Sequence, residues 1–567
     1  MTRFRVFTWV LAVCLGAGVC CAARPAPKRP SPPARSSVVV VRPVQACPAA
    51  DRAYAAARAR HLSRLLQDGG VRADAVDDAA LDGVLAGRKL AVLVMPLQPT
   101  AAQLAALARF RARGGKCLVF YSASPALAAF MGVRLGTYKK AGRPGHYARV
   151  AFTGSPLRGG PSAFRQQTAA IFSAEAVSGR SHVLATWMDD AGRSTGDAAV
   201  LASPAGWWMT QVLLDDGDDV AKTKFVLSLV NAAVPGAWNE AAWAARRQAR
   251  RVADWKYGAR QRPRSGEIHA VWDHTGQGLY SGDWPRTMRL LKANGVTDLF
   301  VNVAGAGFAH YPSKYLPASP TYTARGDQLA ACLSAARGAG VRVHAWVLCF
   351  NGSRATPARR AVFQKKGWRL KNHAGAETDY LDPTKPELRG QLLAACDEIV
   401  RRYAVAGVHL DFVRWYEGAA NKPSASAARS ITTFVTAANR RVKTARPNVL
   451  LTTAVLGTYP SCIRSVGQDW GAWIDAGLID YAVPMNYTED NARYGVYLAR
   501  QCTTPQRAAR IISGIGVTAN ESRLTPRQVV DQINLARRAG VAGVALFDLD
   551  DTLAVDVLPI LRLGLFK

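Results

Sequence analysis

The second half of the chain alternates short β-rich runs with longer amphipathic stretches eight times, and few folds accommodate that rhythm. The runs fall at 267–272, 298–303, 341–350, 405–412, 449–455, 480–485, 511–517 and 541–548. Between them, stretches such as 284–294, 328–339 and 389–403 carry the 3.6-residue apolar spacing of helices. Strands separated by helical crossovers pair in parallel, and eight such units close into a (β/α)8 TIM barrel. One boundary recurs three times, in Asn294-Gly295-Val296, Ala339-Gly340-Val341 and Ala539-Gly540-Val541. Each places glycine where a helix stops and the chain turns into a strand, a position that favours left-handed backbone.

The 567 residues exceed what a single apolar core organises, so the barrel at 266–567 leaves room for a companion. Residues 89–95 read as a buried strand, 101–113 as a helix and 117–120 as a second strand; 181–188, 206–214 and 221–232 extend the pattern. The fold class is therefore α/β, a smaller parallel α/β domain at 49–237 preceding the C-terminal barrel. Residues 238–265 join the two and are rich in arginine, with Trp243, Trp255 and Tyr257 interspersed. Basic residues with aromatics suit a nucleic-acid strand. A helix with solvated arginines is the preferred reading, because no zinc finger, phosphate loop or recognition motif accompanies them, and no specific nucleic-acid partner is expected.

The first 23 residues have the order of a signal peptide: Arg3 and Arg5, an apolar run from Val6 to Val19, then small residues. That run is too short to span a bilayer, which takes about 20 apolar residues, and no transmembrane segment is expected after it. Export to the periplasm, envelope or extracellular space follows. Cys20 and Cys21 raise lipid modification, but Ala17-Gly18-Val19 lacks the expected preceding pattern. Residues 24–48 read as a Pro/Arg-rich tether without fixed fold. Seven cysteines remain beyond the leader, and no Cys-x-x-Cys pair suggests a thiolate zinc site. Cys117 and Cys349 sit inside strand-like runs as packing residues, while Cys462 and Cys502 are a conceivable disulfide pair.

A barrel's chemistry lies at the C-terminal ends of its strands. Those ends carry Trp272 and Asp273, Asn302, His344 and Trp346, Asp411 with Arg414 and Trp415, Asn486 and Tyr487 with Glu489, and Asp548 with Asp550. Indoles that cover sugar C–H faces, beside amides and carboxylates that orient hydroxyls, suit a glycan. Glycosidic cleavage needs one carboxyl group to protonate the leaving oxygen and another to attack the anomeric carbon or activate water. Asp411 is the candidate nucleophile or base and Glu489 the candidate acid, with Asp273, Asp548 and Asp550 as substitutes for the second role. Trp272, Asp273, Asn302, His344, Trp346, Arg414, Trp415, Asn486, Tyr487, Asp548 and Asp550 are the expected substrate-binding set. An Asp411–Arg414 structural ion pair, a solvated Glu489 and a core His344 are the competing readings of the same residues.

Residues 266–567 resemble the bacterial glycosyl-hydrolase-like family ten. The resemblance rests on Glu267-Ile268-His269-Ala270-Val271-Trp272, Val301-Asn302-Val303, Gly407 through Trp415, and Asp480 through Tyr487. It implies an envelope or extracellular enzyme acting on polysaccharide. Residues 82–133, with Leu213-Leu214-Asp215-Asp216, resemble glutamine-amidotransferase-like domains. That family's nucleophilic cysteine occupies a strand-to-helix elbow, whereas Cys117 lies within a strand, so an ancillary domain is expected.

No metal or other cofactor is expected, although an acidic loop admits structural calcium. A polysaccharide deacetylase, which requires a metal set, ranks below the hydrolase. A non-catalytic carbohydrate-binding or envelope scaffold is the alternative of a different class. The formal charge of +33, from 73 Lys and Arg against 40 Asp and Glu, adds an anionic envelope surface as an expected partner.

Overall fold

The structure, a computed structural model, describes residues 36–567 apart from 144, 155, 156, 215, 216, 421 and 423–425. The leader with Cys14, Cys20 and Cys21, the first part of the tether, and Asp215-Asp216 lie outside the described residues.

The N-terminal unit is built on a nine-stranded mixed sheet. Five strands run parallel in the order Ala73–Asp77, Val38–Arg42, Leu90–Val94, Lys116–Phe120 and Gly206–Met209. Four antiparallel strands then extend the sheet: Ser194–Ser203, His182–Met188, Tyr147–Phe152 and Ala163–Thr168. Helices Arg52–Asp68, Ala101–Ala112 and Asp219–Ala233 belong to this unit. Thr100 and Gln103 form a reciprocal capping box that starts the second of them.

The tether expectation for 24–48 fails at its C-terminal end. Val38–Arg42 is a strand flanked by two partners, and Val38 through Val41 are buried. Four consecutive valines on a two-sided sheet bury apolar surface on both faces, which outweighs the Pro/Arg-rich context on either side. The Asp78 carboxylate then fixes the chain beyond the strand, accepting the backbone N–H groups of Val44, Gln45 and Ala46 at 2.8–2.9 Å.

The barrel strands are β1 (Ile268–Asp273), β2 (Asp298–Gly305), β3 (Arg342–Leu348), β4 (Gly407–Asp411), β5 (Leu450–Leu456), β6 (Tyr481–Met485), β7 (Ile512–Gly516) and β8 (Gly543–Phe547). Each pairs in parallel with the next, and β1 also pairs with β8, closing the ring. The interior holds Trp272, Phe300, Trp346, Val483 and Ala545, while a larger apolar shell lies between strands and surrounding helices. Polar pairs close the N-terminal end. Glu267 is buried against Arg537 and His269, whose hydrogen bonds hold its carboxyl below the ordinary value although burial pushes it up.

Helix Glu240–Ala259 clamps the two units together. Trp243 donates its indole N–H to Asp68 at 3.1 Å on one side, and Tyr257 donates its hydroxyl to Asp531 at 2.5 Å on the other. Gly258 lets this helix touch the Ile560 carbonyl, where any Cβ would intrude. All seven cysteines among the described residues are free, including Cys462 and Cys502. Burial pushes the Cys117 thiol up to about 12, as befits a packing residue. Among the described residues no helix is long and apolar enough to cross a membrane.

The helix-end glycines differ in a checkable way. Gly295 and Gly340 both adopt positive φ, 72° and 69°, but a Cβ on Gly295 would collide with the Phe566 carbonyl whereas one on Gly340 meets open space. Thermal or urea unfolding should show Gly340→Ala losing about 1–2 kcal/mol from backbone strain alone. Gly295→Ala should lose about 3 kcal/mol or more, because strain and steric overlap add.

Candidate active site

Ring closure decides where the carboxylates gather. β1 and β8 pair with Val271 opposite Leu546, so their C-terminal ends bring Asp273 and Asp548 side by side. The Leu549 N–H donates to the Trp272 carbonyl at 2.9 Å and holds that juxtaposition.

Asp273 is fully buried and occupied by its own loop. It accepts the Thr275 hydroxyl at 2.7 Å and the N–H groups of Thr275, Gly276 and Gly278 at 2.8–3.2 Å. Burial pushes this carboxyl up while those donors pull it down. Among the described residues the Asp548 carboxylate accepts the N–H groups of His274 at 3.3 Å and Leu549 at 2.7 Å. Burial, then the charges of Asp273 and Asp550, push Asp548 up to about 8. Asp550, which caps the Leu553 N–H at 2.8 Å, is pushed up to about 6, chiefly by burial.

Asp411 ends β4 and is buried. Its two oxygens accept the Phe412 N–H at 2.6 Å and the Trp346 indole N–H at 3.2 Å. Burial raises it above the ordinary carboxyl value as well, but its charged neighbour is Arg414, which opposes that rise. Arg414 is half-buried with its guanidinium 4.2 Å from the centre of the Phe412 ring. Tyr487 stacks on Phe547 and stands in the fields of both Asp411 and Asp548. Burial, followed by those two charges, drives its phenol well above the ordinary value. Trp272 packs edge-on against both rings and donates to His409 at 3.0 Å, forming the floor beneath them.

The remaining expected site residues separate by layer. Glu489 is exposed, its carboxylate accepting the Arg523 N–H at 3.0 Å, so it ties the loop after β6 to the loop after β7. It stands at the solvent-exposed edge, away from the buried carboxylates at the strand ends. His344 sits near the N-terminal end of β3, bound to Asp298 at 2.8 Å beside Arg342, at the barrel's opposite pole. Trp415 packs in the outer shell and donates to Ser430 at 3.0 Å. Asn486 is buried in an amide pair with Gln501, at 2.7 and 3.0 Å, and donates to Ser513 at 3.1 Å. Asn302 is fully buried, donating to the His274 carbonyl at 3.3 Å.

Several rim residues escaped the sequence reading. Tyr380 and Tyr416 stack at 4.4 Å with Tyr380 also against Phe412, giving an aromatic wall beside Asp411. Arg354 donates to the His274 carbonyl at 3.1 Å and lies over Phe308, with His310 at 3.4 Å. Glu521, in the loop after β7, adds its charge near Tyr487. Glu521 and Arg354 both lie several residues past their strand ends and Tyr380 further still along the β3 loop, beyond the reach of the strand-end rule. Among the described residues no group of three or more His, Cys, Asp or Glu side chains is placed to hold a metal ion.

The Asp548 environment makes stability depend on pH in a definite direction. Its folded-state value lies above the ordinary 3.8, so its contribution is fully present below about pH 4 and is lost as pH rises towards 8. Asp548→Asn removes that titration. Thermal unfolding should show the variant gaining on the parent between pH 4 and 8, with a constant difference on either side.

A family-model match falls on this same barrel. Residues 286–430, from the first barrel helix to the helix after β4, match the family model described as Glycosyl hydrolase-like 10. Glycosyl hydrolase DigH of Escherichia coli K12 is 24% identical over 36% of this chain, and the chain spans 58% of that relative's length. Among solved structures, the glycoside hydrolase domain of PgaB (BpsB) from Bordetella bronchiseptica aligns with 53% of this chain and 99% of its own, at 12% identity and a TM-score of 0.43. A plant class V chitinase from Cycas revoluta aligns with 52% of this chain and 99% of its own, at 13% identity and a TM-score of 0.36. A ThuA-like protein from Bacteroides uniformis aligns with 37% of this chain and 96% of its own, at 12% identity and a TM-score of 0.29. The segment carrying β2, β3 and β4, with Trp346 and Asp411, is thus the part of the chain that resembles the glycosyl hydrolase-like 10 family.

Proposed function

We propose that the protein is a glycoside hydrolase that cleaves O-glycosidic bonds in a cell-envelope or extracellular polysaccharide, with Asp548 as general acid and Asp411 as nucleophile or base. The observation that carries this reading is the opposite sign of the neighbouring charges. Asp411 and Asp548 each accept two hydrogen bonds, but Asp411 faces Arg414 whereas Asp548 is flanked by Asp273 and Asp550. Environments that push two carboxyl groups apart assign one to hold a proton near neutrality and the other to carry charge. The Asp548 proton passes to the leaving glycosidic oxygen, and Asp411 either attacks the anomeric carbon or takes a proton from attacking water. Trp346 holds Asp411 in place, and Tyr380, Tyr416 and Phe412 offer faces for sugar rings.

In this reading the leader at 1–23 directs export, and the chemistry proceeds without a metal or organic cofactor. The family-model match across β2 to β4 and the acidic, aromatic-rimmed mouth both support a glycan substrate.

A product-resolved screen against peptidoglycan, amino-sugar polymers and α- and β-glucans tests reaction and substrate together. Asp411→Asn and Asp548→Asn should each lower kcat by about 100-fold or more. Glu489→Gln should stay within about threefold of the parent, as expected for a solvated loop residue. The rate should decline as pH rises past about 8, where Asp548 loses its proton. Equal, full activity in both aspartate variants would overturn the assignment, and glycan binding by the parent without products would favour a scaffold.

A further inference from the structure

We propose that the barrel mouth continues into a path for a single carboxylate-bearing glycan strand, running through the cleft between the two units and out past Trp255. The path rests on the glycan reading of the mouth. Its first step is Thr518, whose hydroxyl accepts the Asp548 N–H at 3.3 Å and which also lines the cleft. Asp550 likewise feels charges from both cleft walls, Arg523 of the barrel and Asp219 of the N-terminal unit. The cleft encloses about 420 Å³, with Arg165 reaching from the N-terminal unit to pair with Asp551. Two valines lining it are exposed across from one another in sequence and domain, Val220 at 39% and Val555 at 56%. Apolar patches between paired Asp and Arg groups match the alternation of C–H faces and hydroxyls along a sugar chain.

A second groove of about 140 Å³ adjoins the cleft, sharing Arg247, Leu524, Thr525, Thr552 and Asp556 with it. It ends on the helix Glu240–Ala259, where Arg247, Arg251 and Trp255 are spaced four apart and so form one stripe. Trp255 is 48% exposed, an uncovered indole where a large side chain would ordinarily be covered. Arg250, whose guanidinium also reaches Asp68 at 3.3 Å, and Arg251 are exposed beside it. Charge changes sign along the path, from the carboxylates of the mouth to these guanidiniums. A uniformly charged phosphate backbone would be repelled at the mouth and gain little in the mixed-charge cleft, whereas a strand with neutral sugar there and carboxylates at the arginine-rich outer groove meets attraction where its charge lies.

The test is titration calorimetry of the full chain with polygalacturonate, neutral hydroxyethylcellulose and a single-stranded DNA oligonucleotide. The double variant Arg250→Glu/Arg251→Glu should weaken polygalacturonate binding by about tenfold or more. The charge-matched variant Arg289→Glu/Arg337→Glu, altered on exposed barrel helices, should stay within about twofold. Trp255→Ala should weaken both polysaccharides by about three- to tenfold through lost stacking. Equal losses in the two double variants, or no loss with Trp255→Ala, would overturn the path, as would tighter binding of the oligonucleotide than of polygalacturonate. Binding that follows this pattern without cleavage of any glycan would instead overturn the hydrolase reading and leave the path standing.

Discussion

Closure of the parallel ring is the constraint on which the site depends. Because β1 must pair with both β2 and β8, the first and last strands of the barrel end against each other, and Asp273 and Asp548 arrive together. Asp273 is spoken for by the four donors of its own loop. Burial, then the charges of Asp273 and of Asp550 close behind, push Asp548 up to about 8, so it favours its protonated form near neutrality. Three strands from β1, burial raises Asp411 too, but there Arg414 and two donors pull against the rise. One topological requirement thus places acidic charges beside Asp548, while Asp411, which acts on the same phenol of Tyr487, has Arg414 for its charged neighbour.

The eight strands were legible because hydrophobic runs and helix-end glycines report burial and backbone sign, and both are local properties. Of the runs that carry the family resemblance, Val301–Val303 and Gly407–Trp415 fall within the segment that the family model matches, whereas Glu267–Trp272 and Asp480–Tyr487 lie outside it. Depth within the barrel is not local. His344 lies on a barrel strand, as expected, yet only the neighbouring strand reveals Asp298 as its partner at the N-terminal pole. Asn486 likewise turns to Gln501 and Ser513, and Trp415 to Ser430, partners far along the chain. Glu489 was two residues past the useful position, where a loop carries it to solvent. In the N-terminal unit, flanking prolines and arginines concealed Val38–Arg42, although four consecutive valines were the stronger signal.

The excess positive charge takes on a spatial meaning in this architecture. The helix Glu240–Ala259 joins the two units through Trp243 and Tyr257 while presenting Arg250 and Arg251 outward. The N-terminal unit then has a role beyond support, since Arg165, Asp219 and Val220 form one wall of a cleft whose other wall adjoins Asp548 and Asp550.

The central claim is that Asp548 holds a proton near neutral pH while Asp411 carries charge. Isotope-edited infrared difference spectroscopy of aspartate-labelled protein, comparing the parent with Asp548→Asn across a pH titration, reads this directly. The account expects a protonated carboxyl band in the parent that disappears around pH 8 and is missing from the variant. A parent whose aspartates all ionise near pH 4, with no band distinguishing it from the variant above that value, would contradict it.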